Sequence, residues 1–217
     1  MLFTFGDSFT WGTALASRDT QNWPAVLSRL LDTPLQNNAR PGGNNWYIAR
    51  KINQLSIERN DVVVIGWTNP DRFELPVSDP SIMQERNGRP SEMPDVLDNI
   101  PVRRFYPGLP SGSAQVQKLN DTIYTYFYNE DWFYEHFKIC VQSVRWRLKQ
   151  IGCKYLMFYP WVWWPANYTR EYEMYDRDFV DWPNSPEAQT RSYIENDGHY
   201  DARTHEIIAH WLHDRLK

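Results

Sequence analysis

The sequence predicts an α/β fold: a parallel central sheet with helices on both faces. Two observations carry this. Short apolar runs at residues 2–5, 34–39, 61–67 and 154–159 alternate with stretches whose apolar residues recur every three or four positions. The strongest run, DVVVIGW at 61–67, is a continuous β-branched stretch of the kind buried on both faces of a sheet.

Each element has a local reason. LFTF at 2–5 reads as a short buried strand. NWPAVLSRLL at 22–31 reads as a helix that Asn22 caps, with Pro24 tolerated in its first turn and Val26, Leu27, Leu30 and Leu31 on one stripe. PLQNNA at 34–39 is a weaker strand, and NNWYIARKINQLS at 44–56 is helical, with Ile48, Ile52 and Leu55 on one face. Residues 70–116 break the pattern: eight of the 15 prolines fall between Pro70 and Pro110. Long irregular segments of this kind are usually functional covers or disordered, and an ordered insertion beside a cleft, carried by a single 1–217 domain, is expected. From Lys118 to Gln150 the apolar spacing gives one long helix or two broken near Asn129-Glu130-Asp131, started by Asn120 or Asp121 and ended by Gly152. KYLMFY at 154–159 is the next strand, and residues 202–216 form the last helix, with Ile207, Ile208, Trp211 and Leu212 inward.

Bulk properties remove some function classes. A net charge of −4 gives no basic stripe for a nucleic-acid backbone. No window approaches the 18 apolar residues of a membrane span, and the N-terminus lacks a basic segment followed by an apolar run. A cytoplasmic protein is therefore expected, a virion component being compatible with the same features. Cys140 and Cys153 cannot build a disulfide framework and read as buried thiols. Neither a metal nor another cofactor is called for, since no His/Cys/Asp cluster has zinc spacing. The sequence leaves the oligomeric state open. Aromatic residues make up 16% of the chain, enough to line a cleft as well as a core.

In parallel sheets ligands bind outside the carboxyl ends of the strands, and the residues there are chemically suggestive. The first strand ends at Gly6-Asp7-Ser8, which offers Ser8 as a nucleophile. A serine needs a base, and Asp197 and His199 stand two residues apart before the final helix. In an extended segment such residues lie on one side, about 7 Å apart, so Asp197 can hold the imidazole and leave its other nitrogen for Ser8. His205 ranks second as base. The oxyanion requires donors, and the Gly42 N–H with the Asn69 amide, or the Thr68 hydroxyl in its place, are the candidates. Trp11, Trp67, Trp161, Trp163 and Trp164 lie near the strand ends and are candidates for substrate contact, as is Trp46. Arg72 and Glu74 either bind a polar substrate or pair with each other.

Taken in order, these motifs resemble the SGNH (GDSL-type) hydrolase family. Gly6-Asp7-Ser8 looks like its first motif, Asn38-Ala39-Arg40-Pro41-Gly42 its second, VVVIGWTN its third, and Asp197 with His199 its last. Two departures stand out. Asn69 is displaced by one from the usual G-x-N-D, and one residue fewer than usual separates Asp197 from His199. The resemblance implies a flavodoxin-like three-layer α/β/α sandwich. It also implies a serine esterase working through Ser8, His199 and Asp197 and an acyl-enzyme, with the Ser8 N–H joining Gly42 and Asn69 (or Thr68) in the oxyanion hole. The aromatic rim suggests an acylated glycan or another small ester as substrate. An acyltransferase on the same triad and a decayed carbohydrate-binding protein are the competing readings.

Overall fold

The structure is a computed structural model and describes residues 1–76, 96–97, 100–105, 114–160, 179–180, 182 and 185–217. Five strands make one parallel sheet: β1 (Leu2–Phe5), β2 (Leu35–Asn37), β3 (Val62–Gly66), β7 (Lys154–Phe158) and β8 (Phe179–Val180). Their spatial order is β2-β1-β3-β7-β8, which is the flavodoxin-like arrangement, with its order reversing between β1 and β3. In register, Leu2 pairs with Val62 and Phe5 with Ile65, so β1 and β3 end side by side.

Period-two alternation divides the core in two. Phe3, Phe5, Val63, Ile65 and Met157 face a cluster closed by α4 (Asn45–Gln54) and α6 (Glu130–Ile151). Leu2, Val64, Leu156 and Phe158 face the opposite cluster, closed by α3 (Trp23–Leu30) and α7 (Ala202–Leu216). The result is a three-layer α/β/α sandwich. Helix ends follow local chemistry: the Asn22 side chain accepts from Ala25 N–H, Asn44 from Tyr47 N–H and Asp201 from Thr204 N–H.

The region after residue 118 resolves into two helices. α5 (Ala114–Tyr126) ends before Asn129, whose side chain caps α6, and Gly152 at φ 72° closes α6 in the left-handed region. Asn120 and Asp121 therefore lie inside α5 rather than at its start, a correction to the expected cap. Within the proline-rich segment β4 (Phe73–Pro76), β5 (Val96–Leu97) and β6 (Ile100–Phe105) form a small antiparallel sheet, β6 in the centre. Phe73 of β4 stacks on Phe105 at 5.2 Å and meets Phe133 at the start of α6. Two short helices, α1 (Ser8–Trp11) and α2 (Arg18–Gln21), link β1 to α3. Cys140 and Cys153 are buried, unpaired thiols, and burial pushes the Cys140 thiol up to about 11. Among the described residues no helix is long and apolar enough to cross a membrane.

Candidate active site

Ser8 follows the C-terminal end of β1 and begins α1. The turn that carries it is fixed by Asp7, which is completely buried. Asp7 Oδ1 accepts from Phe9 N–H at 3.0 Å, while Oδ2 accepts from the Thr68 hydroxyl at 2.8 Å and from Arg72 Nη1 at 3.0 Å. A buried carboxylate is costly unless it is paired and hydrogen-bonded; these donors satisfy it and tie the Ser8 turn to the loop after β3. Ser8 is 7% exposed. Among the described residues neither its hydroxyl nor its N–H is engaged in a hydrogen bond.

The loop after β2 is fastened to the same strand end. Asn38 N–H donates to Thr4 O at 2.8 Å and Arg40 N–H to Gly6 O at 3.0 Å. Gly43 N–H then closes a turn on Arg40 O at 2.8 Å, with Gly42 at φ 68°. Proline followed by a left-handed residue is the pattern of a type II turn, in which glycine fits without strain. The Gly42 N–H is left without an acceptor among the described residues. Arg40 itself is 3% exposed, forms an ion pair with Glu74, and lies 4.2 Å over the Tyr47 ring. Burial lowers the Arg40 guanidinium to about 10, which leaves it charged at neutral pH.

After β3 the two candidate donors part. Thr68 is fully enclosed: its N–H donates to Asn45 Oδ1 at 2.9 Å, its carbonyl accepts from Asn45 Nδ2 at 2.8 Å, and its hydroxyl is on Asp7. Asn69, one residue on, is half-buried, and its carboxamide has no partner among the described residues. Ser8 N–H, Gly42 N–H and the Asn69 amide are thus three unengaged donors among the described residues, borne on the loops that leave the C-terminal ends of β1, β2 and β3, which pair in parallel.

At the other end of the chain, residues 193–200 form a tight hairpin: Tyr193 bridges Tyr200, and Ile194 N–H donates to His199 O at 2.8 Å. Gly198 at φ 80° sits between Asp197 and His199. This left-handed residue folds the short spacing back on itself, and Asp197 Oδ1 meets His199 Nδ1. The imidazole packs 4.9 Å from the Phe9 ring, and Tyr200 meets the same ring edge-on at 4.9 Å. The Tyr200 hydroxyl donates to Pro160 O at 2.6 Å, which fastens the hairpin to the end of β7. The C-terminal histidine is therefore held against the residue next to Ser8. Among the described residues no hydrogen bond joins Ser8 Oγ to His199; such contacts often tighten only when substrate binds.

His205 has a different role. It is 1% exposed on α7, and its Nδ1 accepts from Trp23 N–H at 3.1 Å, the first free donor of α3. Burial lowers it to about 4, so it is a neutral helix cap in the core rather than an accessible base. Trp67 is likewise corrected. It is completely buried, edge-on to Phe137 at 5.6 Å, and belongs to the core rather than to a cleft wall. Trp11 is half-buried beneath the Arg18 guanidinium at 4.2 Å, whereas Trp46 is 57% exposed. Trp161, Trp163 and Trp164 lie outside the described residues. Arg72 and Glu74 find other partners than each other, namely Asp7 and Arg40. Asn45 and Tyr200 support the site without having been singled out from sequence. Nothing in NNW or GHY distinguishes them from ordinary turn residues, because their partners are remote in the chain. Among the described residues no cluster of three or more His, Cys, Asp or Glu is arranged to hold a metal ion.

Comparison with solved structures agrees with this architecture. A lipase from a goat rumen metagenome superposes with a TM-score of 0.55 at 14% identity, covering 100% of this chain and 99% of that one. A protein assigned to the G-D-S-L lipolytic family, from Desulfitobacterium hafniense DCB-2, gives 0.53 at 10% identity, covering 99% and 98%. The carbohydrate esterase family 2 enzyme of Corynascus thermopiles (Myceliophthora fergusii), with its carbohydrate-binding domain, gives 0.54 at 13% identity, covering 99% of this chain and 64% of that one. No protein-family model matches the chain, and no curated protein matches it. The chain has the SGNH-type hydrolase fold. Its candidate site occupies the β1/β3 switch point of that fold.

Proposed function

We propose that the protein is a serine esterase. Ser8 is the nucleophile, His199 its general base, and Asp197 the group that fixes the imidazole tautomer and stabilises the imidazolium. The observation that carries this reading is the packing of His199 on Phe9, which brings the two ends of the chain together beside Ser8. Ser8 Oγ attacks the ester carbonyl as His199 Nε2 takes its proton. The Ser8 and Gly42 N–H groups and Asn69 Nδ2 donate to the oxyanion. His199 then protonates the leaving alcohol, and water releases the acid by the same route. Asn69 is preferred over Thr68 because the hydroxyl and N–H of Thr68 are already spent on Asp7 and Asn45. The one-residue displacement of the motif is thus absorbed: Thr68 braces the turn and Asn69 faces the substrate.

An acylated glycan is the substrate class we favour. An exposed Trp46 ring on α4 offers a flat apolar face of the kind that suits a sugar. The test is mass-mapped fluorophosphonate labelling combined with hydrolysis of p-nitrophenyl acetate. Label on Ser8, with turnover abolished in Ser8→Ala and in His199→Ala, is expected. Glycan binding without label or turnover would instead identify a decayed hydrolase.

A further inference from the structure

The segment that opens the proline-rich region is built into the site from below. Arg72 and Glu74 are two residues apart at the start of β4, so they share one face of an extended chain while Phe73 takes the other. The outer face is anchored apolarly: Phe73 packs on Phe105, Phe133 and Tyr124. The inner face carries opposite charges in sequence, and each reaches a different loop. Arg72 pairs with Asp7, in the turn that aims Ser8, and Glu74 pairs with Arg40, in the turn that aims Gly42. The side chains of Asp7, Arg40 and Glu74 are at most 3% exposed, and that of Arg72 is 13% exposed. The third unengaged donor, Asn69, stands on the same segment, and Asn69 O accepts from Arg72 N–H at 3.2 Å. Arg40 N–H on Gly6 O closes the remaining side of the triangle.

We propose that Arg72 and Glu74 are positioning residues for the oxyanion donors, a crossed pair of buried ion pairs that sets the three donor loops relative to one another. This rests on the reading of Ser8 as nucleophile. The physical reason is the precision that oxyanion stabilisation demands. Donors must lie within about 2.7–3.1 Å of a charge that develops only in the transition state, and three separate loops do not hold that spacing unless they are tied together. Ion pairs with buried partners are suited to the task because their geometry is specified by charge as well as by shape. Arg72 also sets a positive charge against Asp7, so the carboxylate beside Ser8 opposes the negative oxyanion less.

The experiment follows the rate of fluorophosphonate labelling of Ser8 against probe concentration, at a temperature well below unfolding, in Arg72→Met, Glu74→Gln and Phe73→Leu. Phe73→Leu loosens the same segment from its apolar side without touching either ion pair. Arg72→Met and Glu74→Gln are expected to lower the limiting labelling rate by about 10- to 100-fold, less than or up to the lower end of the roughly 10²–10³-fold lost with an oxyanion donor itself. The half-saturating probe concentration should stay within about twofold of wild type, since only transition-state contacts are lost. Phe73→Leu should keep the limiting rate even where its melting temperature falls as far. The double variant Asp7→Asn/Arg72→Met should regain part of the rate lost in Arg72→Met, because it removes the negative charge that Arg72 offsets. Should Arg72→Met fail to fold, the same comparison is made between Arg72→Lys and this double variant. Wild-type protein that takes no label at Ser8 would refute the esterase reading itself. Labelled wild type with unchanged limiting rates in both ion-pair variants, or a loss that simply tracks melting temperature across all three, would overturn the positioning role alone.

Discussion

The sheet edge under Ser8 leaves no room for a side chain, and the consequences differ at two neighbouring glycines in a way that can be measured. A Cβ on Gly66 would lie 2.8 Å from Thr10 Oγ1, while its next neighbours are Phe158 ring carbons at 3.6 Å, an ordinary contact. A Cβ on Gly6 would fall onto Thr10 Oγ1 as well, but also 2.6 Å from Thr10 Cβ and 2.9 Å from the Gly66 carbonyl. Overpacking of this kind costs about 1–3 kcal/mol, so Gly66→Ala and Gly6→Ala should both destabilise the wild-type chain by at least that much. Thr10→Ala removes Oγ1, a buried hydroxyl with no partner among the described residues, and one methyl, at a cost of about 1 kcal/mol. In that background Gly66→Ala meets only ordinary contacts, and its cost should fall to within about 0.5 kcal/mol of zero, the backbone entropy of glycine offsetting any residual crowding. Gly6→Ala should recover little, because Thr10 Cβ and the Gly66 carbonyl are still there. Urea unfolding followed by tryptophan fluorescence gives the four free energies of each cycle. Strong coupling for Gly66 with Thr10 and weak coupling for Gly6 with Thr10 is the expected pair. Equal costs of Gly66→Ala in both backgrounds would refute the reasoning.

Other outcomes follow from the same geometry. Asn69→Ala should lower kcat for p-nitrophenyl acetate by about 10²–10³-fold with little change in melting temperature, whereas Thr68→Val, which removes one of the donors to the buried Asp7 carboxylate, should chiefly lower the melting temperature. His205 and Asp71 should give opposite pH dependences of stability. His205 is held at about 4 when folded against 6.5 ordinarily, so the unfolded chain binds more protons between those values and stability is lost as pH falls through that window. Burial raises Asp71 to about 6 from 3.8, so there the folded chain binds more protons and stability is lost as pH rises. Between about pH 4 and 6 the two oppose each other, each by up to about 1.4 kcal/mol per pH unit. Urea midpoints against pH should therefore rise more steeply with pH in Asp71→Asn and fall with pH in His205→Gln; parallel profiles in all three proteins would count against both assignments.

The parallel sheet was legible because its strands are chemically uniform. A run such as VVVIG has few alternatives once it is apolar on both faces, and it became β3 with residues of both core clusters. The Asn22 cap and the break before α6 were legible for a similar reason: a helix end is decided by a few adjacent residues, and Asn129 can reach its own Trp132 N–H. β8 gave no warning, since two residues, Phe179 and Val180, are too short to show a period. The β4–β6 sheet was hidden among prolines, and Pro101 and Pro76 take places in it. Proline cannot donate to a ladder, so strands that contain it read as loops.

Within the candidate site, the sequence singles out the residues proposed to react and misjudges several of those around them. Trp67 follows the strongest strand and looks like a rim residue, but its N–H continues the sheet by donating to Phe158 O at 2.9 Å, and its side chain joins the α6 side of the core. A strand end is visible in sequence; how much further the sheet's burial extends is not. The same limit explains Arg72 and Glu74. As near neighbours of opposite charge they look self-sufficient, and on an open surface such a pair would be weak and interchangeable. In the folded chain each has a buried opposite charge contributed by a different strand end, so the two are separated by the company they keep rather than by their spacing. Asp7 takes on its meaning in the same way. Read locally it is the cap of a four-residue helix; read in three dimensions it joins the turn that presents Ser8 to the segment that presents Asn69. In the proposed acyl-transfer site the reactive groups lie in short motifs, while the charge pairs proposed to space its donors lie in no short motif.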